Sequence, residues 1–374
     1  MSDLSRSKSV DVTALAGLFS NTTNSYKYVF FQALLEKCRN SDFEDRLIRL
    51  DDLAIEMIAL AWYPYKYFHI SFGLQDKIGK VIDNLDFDAQ SQRIGSHTNQ
   101  KRLRGAIKTQ ADTIKLSPLL RYVPFRLLSP FFRRETQGMS DALRDRTIHR
   151  LANEHFHKAK PFYRFCRNGN NDTDLIELHP DWNEYIKRNY SIVKGWAERR
   201  WLGFLQKRNP TMPALSEKLY PPNQRAPLNQ QRRFWKLALH NAPLFCIYSG
   251  RPLNPESFAL DHFLPWSYVC HDQLWNLVPT SKGINSSKGH SVPSEEYLNP
   301  LADIHSKALA IVMDAPDITR AERHKFIEAY LADLKVQESE ITEGKIMGQT
   351  YQDVLLPQMN LARQAGFQGG WVFS

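Results

Sequence analysis

The chain has few cysteines, and none is paired in sequence. Cys38, Cys166, Cys246 and Cys270 form no Cys-x-x-Cys, so neither a disulfide framework nor a zinc knuckle is signalled. Long apolar runs are missing too. The nearest approach to a membrane span, "DDLAIEMIALAWYPYKYF", is short, opens with acids and is broken by Pro64. The opening "MSDLSRSKSVDVTALAGLF" has no apolar core of signal-peptide length. Repeats and low-complexity tracts are absent. Together these absences predict a cytoplasmic protein with no membrane partner. Acids are outnumbered: 40 Asp and Glu face 49 Lys and Arg, a net charge of +9 over 374 residues. That excess points to a polyanionic partner, nucleic acid before acidic membrane. Hydrophobic residues at 42% and aromatics at 12% supply the material for real cores and exclude global disorder.

The pattern along the chain predicts a mostly helical protein of α+β class in four parts. Residues 1–165 read as a helical domain for DNA or partner binding. "SYKYVFFQALLEKCRN" places Tyr28, Phe31, Leu34 and Leu35 on one helical face, behind the capping residues Thr23, Asn24 and Ser25. "LIRLDDLAIEMIALAWY" reads as a second helix. "LLRYVPFRLLSPFF", interrupted by two prolines, reads as irregular or extended. Residues 101–150 carry twelve Lys or Arg against four Asp or Glu. Arg133 and Arg134, beside Phe131 and Phe132, are its sharpest phosphate-binding candidates, because arginine grips phosphate bidentately. Residues 166–240 read as a long basic helix, carrying Arg199 and Arg200, followed by a Pro-rich linker. Residues 241–300 hold the motif segment, and 301–374 return to helical periodicity.

In the motif segment, "PLFCIYSGRPL" and "SFALDHFLPWS" read as two short β segments around a turn. "DQLWNLVPTSKGINSSKG" reads as a loop and a helix starting near Ser281. This compact platform brings Asp261, His262, Asn276 and Asn285 within reach of one point. It resembles the HNH (ββα-metal) endonuclease family, and within it the HNH domain of RNA-guided CRISPR effector nucleases. The residues that carry the resemblance are Asp261-His262-x-x-Pro265-x-Ser267, then Asn276, Asn285 and Lys288, then Val292-Pro293-Ser294-Glu295-Glu296. It covers about residues 244–297, with no RuvC-like domain and no room for guide-RNA lobes. The paired cysteines that bind structural zinc in many HNH proteins are missing. Cys246 stands alone with Ser249 at the partner's place, so no structural zinc is expected.

The resemblance implies an embedded ββα-metal nuclease module in a stand-alone defence or restriction protein. It implies DNA hydrolysis to 5′-phosphate and 3′-hydroxyl ends. His262 becomes the general base, a role suited to a group that titrates near neutrality. Asp261 and Asn285 become hard oxygen ligands for one Mg2+, which Mn2+ can replace. Asn276 is expected to orient the His262 imidazole, and Lys288 to meet the phosphate. One module makes one active site, so double-strand cleavage needs a homodimer or two visits, and other subunits of a defence system are candidate partners. Two alternatives stay open: a catalytically silent HNH-fold subunit for DNA binding or assembly, and a nuclease that cuts RNA.

Overall fold

The computed structural model describes residues 4–86, 97–167, 175–222, 227–316 and 318–374. It divides into two compact units: Met1–Pro210 with Leu215–Gln224, and Thr211–Ala214 with Arg225–Ser374. The long basic helix therefore belongs to the first unit. The helices after 301 share a unit with the motif segment. Of the Pro-rich stretch expected as a linker, residues 223–226 lie outside the described residues.

The first unit is built on three helices, Tyr26–Asn40, Leu50–Trp62 and Pro180–Gln206, with the first packed against the other two. Aromatic residues fill the joint: Phe19 stacks on Tyr28 at 4.5 Å and on Trp196 at 5.0 Å. Pro180 opens the long helix, where a missing N–H costs nothing. A non-helical Asn189 (φ −118°, ψ 21°) kinks it, and the apolar Ile192 just beyond is exposed.

A small antiparallel sheet completes the unit, and periodicity did not foretell it. Strands β1 (Leu47–Arg49), β2 (Tyr163–Cys166) and β3 (Leu175–Leu178) lie in the order β1-β3-β2. Ile48 and Phe165 both face Ile176 in register. The expected irregular stretch is instead three short helical turns: Ser117–Leu120, Val123–Leu127 and Ser129–Phe132. Each carries its proline in the first turn, so Pro118, Pro124 and Pro130 start helices here rather than break them.

The second unit wraps four helices, Asn229–Asn241, Leu298–Asp314, Arg320–Asp333 and Gly344–Gln364, around a two-stranded sheet. Phe234, Trp235, Leu309, Tyr330, Tyr351 and Met359 belong to one continuous core with Phe263, Leu277 and Val278 of the motif segment. Burial of this kind contributes about 25 cal/mol per Å² of apolar surface, so the motif draws much of its support from the helices beyond 298. Near Val292 a further segment closes on the motif. Pro293 and Trp371 form a parallel bridge, and Ser294 donates to the Trp371 carbonyl at 2.8 Å.

Candidate active site

The motif strand is β4 (Ala259–His262), and its partner is β5 (Leu277–Thr280), pairing Asp261 with Val278 and His262 with Leu277. The partner expected from sequence, residues 244–253, instead closes on itself. Cys246 donates to Arg251 and Leu253 to Leu244, and Gly250 turns the chain at φ +66°. Pro279 hid β5, since proline argues against a strand; with only two strands, its lost N–H leaves no ladder unfilled. Ser281 caps the helix Lys282–Lys288 by accepting from the Ile284 N–H at 3.2 Å, and that helix packs on β4. Strand, strand and helix are thus present, with the strands paired differently than expected.

Adjacent strand residues point to opposite faces, and Asp261 and His262 do so. Asp261 is buried. Its Oδ2 accepts from the Tyr248 hydroxyl at 2.6 Å, and its Oδ1 from the Lys288 ammonium at 3.1 Å. Burial, and then the Asp261 charge, push the Tyr248 phenol well above its ordinary range, so it stays a donor. On the other face, His262 Nε2 lies 2.7 Å from Asp272 Oδ1. A carboxylate only accepts, so Nε2 carries the proton and Nδ1 is left with the basic lone pair.

Two expected roles change. Asn276 is fully buried and does not meet the His262 imidazole. Its Oδ1 accepts from the Leu264 N–H at 2.8 Å, and its Nδ2 donates to the Leu264 carbonyl at 3.0 Å. It clamps the backbone just past the motif; Asp272 contacts the imidazole instead. Lys288 is buried as well and donates to the His262 carbonyl at 2.6 Å besides Asp261. Its ammonium braces the motif from behind rather than reaching out to a phosphate. Asp272 had no spacing signal in sequence. Tyr248 had one, the Tyr-x-Gly of "CIYSGRPL".

Asn285 donates through Nδ2 to the Leu260 carbonyl at 3.3 Å, which places it beside Asp261 and leaves its amide oxygen for another partner. Among the described residues, no group of three or more His, Cys, Asp or Glu side chains converges on one point. The protein's donors here are therefore one carboxylate and one amide oxygen. Such oxygen donors are of the type that hard cations take, and in this structure both Asp261 oxygens are held by Tyr248 and Lys288. Cys246 Sγ sits 3.2 Å from Thr280 Oγ1 as a buried core residue.

The expected phosphate contacts lie in the other unit. Arg133, Arg134, Arg199 and Arg200 are all exposed. Among the described residues, no ion pair holds Arg133 or Arg134. Other cations of the 101–150 stretch are already engaged. Arg104 grips the buried Glu56 with two bonds of 2.6 Å, and Arg126 and Arg144 both meet Asp141. The local excess of positive charge is therefore smaller than the residue count suggests. No described helix is long and apolar enough to cross a membrane.

Residues 246–294 match the family model of HNH endonucleases, so the second unit contains an HNH-family domain. Such a domain implies nuclease chemistry on nucleic acid. The matching model is described as HNH endonuclease and names no subfamily. Searches of curated proteins and of solved structures found no match.

Proposed function

We propose that this protein is a metal-dependent endonuclease that cuts DNA to 5′-phosphate and 3′-hydroxyl ends, with His262 as general base. The observation that carries the reading is the His262–Asp272 contact, which leaves one imidazole nitrogen available as a base; because Asp261 lies on the other face of β4, the phosphate would lie across the strand edge to meet both. In this reading His262 Nδ1 takes a proton from water as the water oxygen attacks phosphorus. The P–O3′ bond breaks, and the departing 3′-oxygen collects a proton from solvent. Asp272 holds the ring and balances the imidazolium. Asp261 and Asn285 would hold Mg2+, with Mn2+ as substitute; the ion supplies charge neutralisation at the phosphate and at the departing oxygen. Tyr248 and Lys288 fix the Asp261 carboxylate, and Asn276 fixes the chain that follows His262. Arg133, Arg134, Arg199 and Arg200 supply sequence-independent phosphate contacts. A setting in bacterial anti-phage defence or restriction, in the cytoplasm, rests on family analogy alone.

The test is plasmid nicking with and without Mg2+, beside an RNA of matched length. Metal-dependent nicking of DNA by wild type, lost in His262→Ala, supports the reading. Cleavage of RNA alone makes it a ribonuclease. No cleavage of either points to a silent HNH-fold binding subunit.

A further inference from the structure

The first unit contains a cleft of about 760 Å³, within the range of small-ligand pockets. One wall is the loop "SNTTNS" leading into the helix Tyr26–Asn40, of which Asn21, Thr22, Thr23 and Asn24 line the cleft. Thr23, Asn24 and Ser25 read in sequence as caps, yet no side chain caps this helix. Ser25 gives its N–H and its hydroxyl to Asp76 Oδ2, at 2.8 and 2.5 Å. The loop's hydroxyls are engaged locally: Thr22 Oγ1 meets the Tyr28 hydroxyl at 2.8 Å, and Thr23 Oγ1 donates to Asn24 Oδ1 at 2.9 Å.

The charge in the cleft is one-sided. Lys27, Arg126, Arg133 and Arg144 line it, and no carboxylate does. Arg126 pairs with the exposed Asp141 and the largely buried Asp145, and Arg144 pairs with Asp141, so part of their charge is compensated from outside the lining. Among the described residues, Lys27 has only long contacts, to the Asn21 carbonyl at 3.4 Å and the Leu18 carbonyl at 3.5 Å. Burial, then repulsion from Arg126 and Arg144, push its ammonium down to about 8. It also sits in the first helical turn, where the macrodipole disfavours a cation. Three separate costs fall on one side chain, and an anion in the cleft would relieve all three. Beside the cations, Tyr122, Pro118 and the buried Leu119 supply the apolar part of the lining. The ring of Tyr122 has the Arg126 guanidinium over it at 4.4 Å.

We propose that this cleft binds a nucleotide-sized phosphorylated ligand, its phosphates on Lys27, Arg126 and Arg133 at the helix N-terminus and its base against Tyr122 and Leu119. A duplex backbone tracks exposed side chains such as Arg134. The half-buried Lys27 inside the cleft suits a compact ligand instead.

The test is thermal unfolding of the full chain at low salt, with millimolar ATP, pyrophosphate, adenosine or a short DNA duplex as probe. ATP and pyrophosphate should raise the wild-type Tm by several degrees, and adenosine should not. Lys27→Met should unfold at or above the wild-type temperature without ligand, because a costly charge is gone, and should lose the ATP shift. Arg133→Gln, at an exposed position, should weaken ATP binding on the order of tenfold, while Arg134→Gln leaves it intact. The proposal fails if ATP and pyrophosphate do not move the wild-type Tm, or if Lys27→Met and Arg133→Gln keep the full shift. It fails equally if only the duplex gives a Lys27-dependent shift, which would make the cleft part of a DNA track. Unfolding is the readout, so failure of the ATP and pyrophosphate shift leaves the role of His262 in cleavage untouched.

Discussion

His262 and Asp272, ten residues apart, meet at 2.7 Å between Nε2 and Oδ1. The pair ties the strand β4 to the loop after Cys270, and it decides which imidazole nitrogen can act as a base. Removing the base should cost on the order of 10²–10⁴ in rate. Asp272→Asn keeps the shape but can donate to the ring, so kcat should fall about 10–100-fold with KM little changed. Asp272→Glu should recover part of the loss. Steady-state nicking assays check this, and an unchanged kcat in Asp272→Asn would remove the positioning role.

Lys288 and Asp261 form an ion pair with both side chains at most 2% exposed. Breaking such a pair strands a buried charge. Lys288→Met should therefore destabilise by about 3–5 kcal/mol, seen as a lower urea midpoint at unchanged slope. A loss under about 1 kcal/mol would mean that Lys288 does not hold Asp261 in solution.

Asn276→Ala separates two roles for one residue. As a clamp on Leu264 it should cost about 1–3 kcal/mol, because the Leu264 N–H and carbonyl lose their partner in a buried place. Urea unfolding gives the number. A variant of wild-type stability with lost nicking would return Asn276 to the imidazole.

The exposed arginines predict a salt effect. Each neutralised phosphate contributes about 0.9 to the slope of log affinity against log salt on duplex DNA. Removing Arg133 and Arg134 together should flatten that slope by about 1–2 units, with cleavage at saturating DNA unchanged. An unchanged slope would take these two side chains off the DNA.

His305 predicts a pH effect in the second unit. It is fully buried, with Nδ1 2.7 Å from the Tyr330 hydroxyl and its ring stacked on Tyr351. Burial lowers it from 6.5 to about 3. The unfolded chain binds the proton first, so this contribution is complete above pH 6.5 and is lost as pH falls toward 3, by on the order of a few kcal/mol. Urea midpoints between pH 7 and pH 4 should fall more steeply for wild type than for His305→Phe. Parallel curves would show that His305 is not the group responsible.

Helices were legible where they were long and one-sided. Tyr26–Asn40, Pro180–Gln206 and the helices after 298 follow their apolar spacing. The sheets were not. β1 is three residues long and runs straight into a helix, and its partner β3 lies far along the chain. Within the candidate site, Asp261, His262, Asn276, Asn285 and Lys288 stood out because their spacing is a family pattern. Asp272 and the burial of Lys288 depend on how a loop and a helix close over β4, and a linear pattern does not encode that closure. Proline misled in both directions: Pro124 and Pro130 were taken to interrupt a stretch in which they start helical turns, and Pro279 concealed a strand.

The bridge between Pro293 and Trp371 sets an order of assembly. Trp371 rests its ring on Tyr248 at 5.2 Å, and Tyr248 in turn holds Asp261. On the ribosome, the segment bearing Asp261 and His262 emerges long before the tryptophan that buttresses it. A nascent chain stopped short of residue 371 would carry every motif residue and still lack the wall behind its carboxylate.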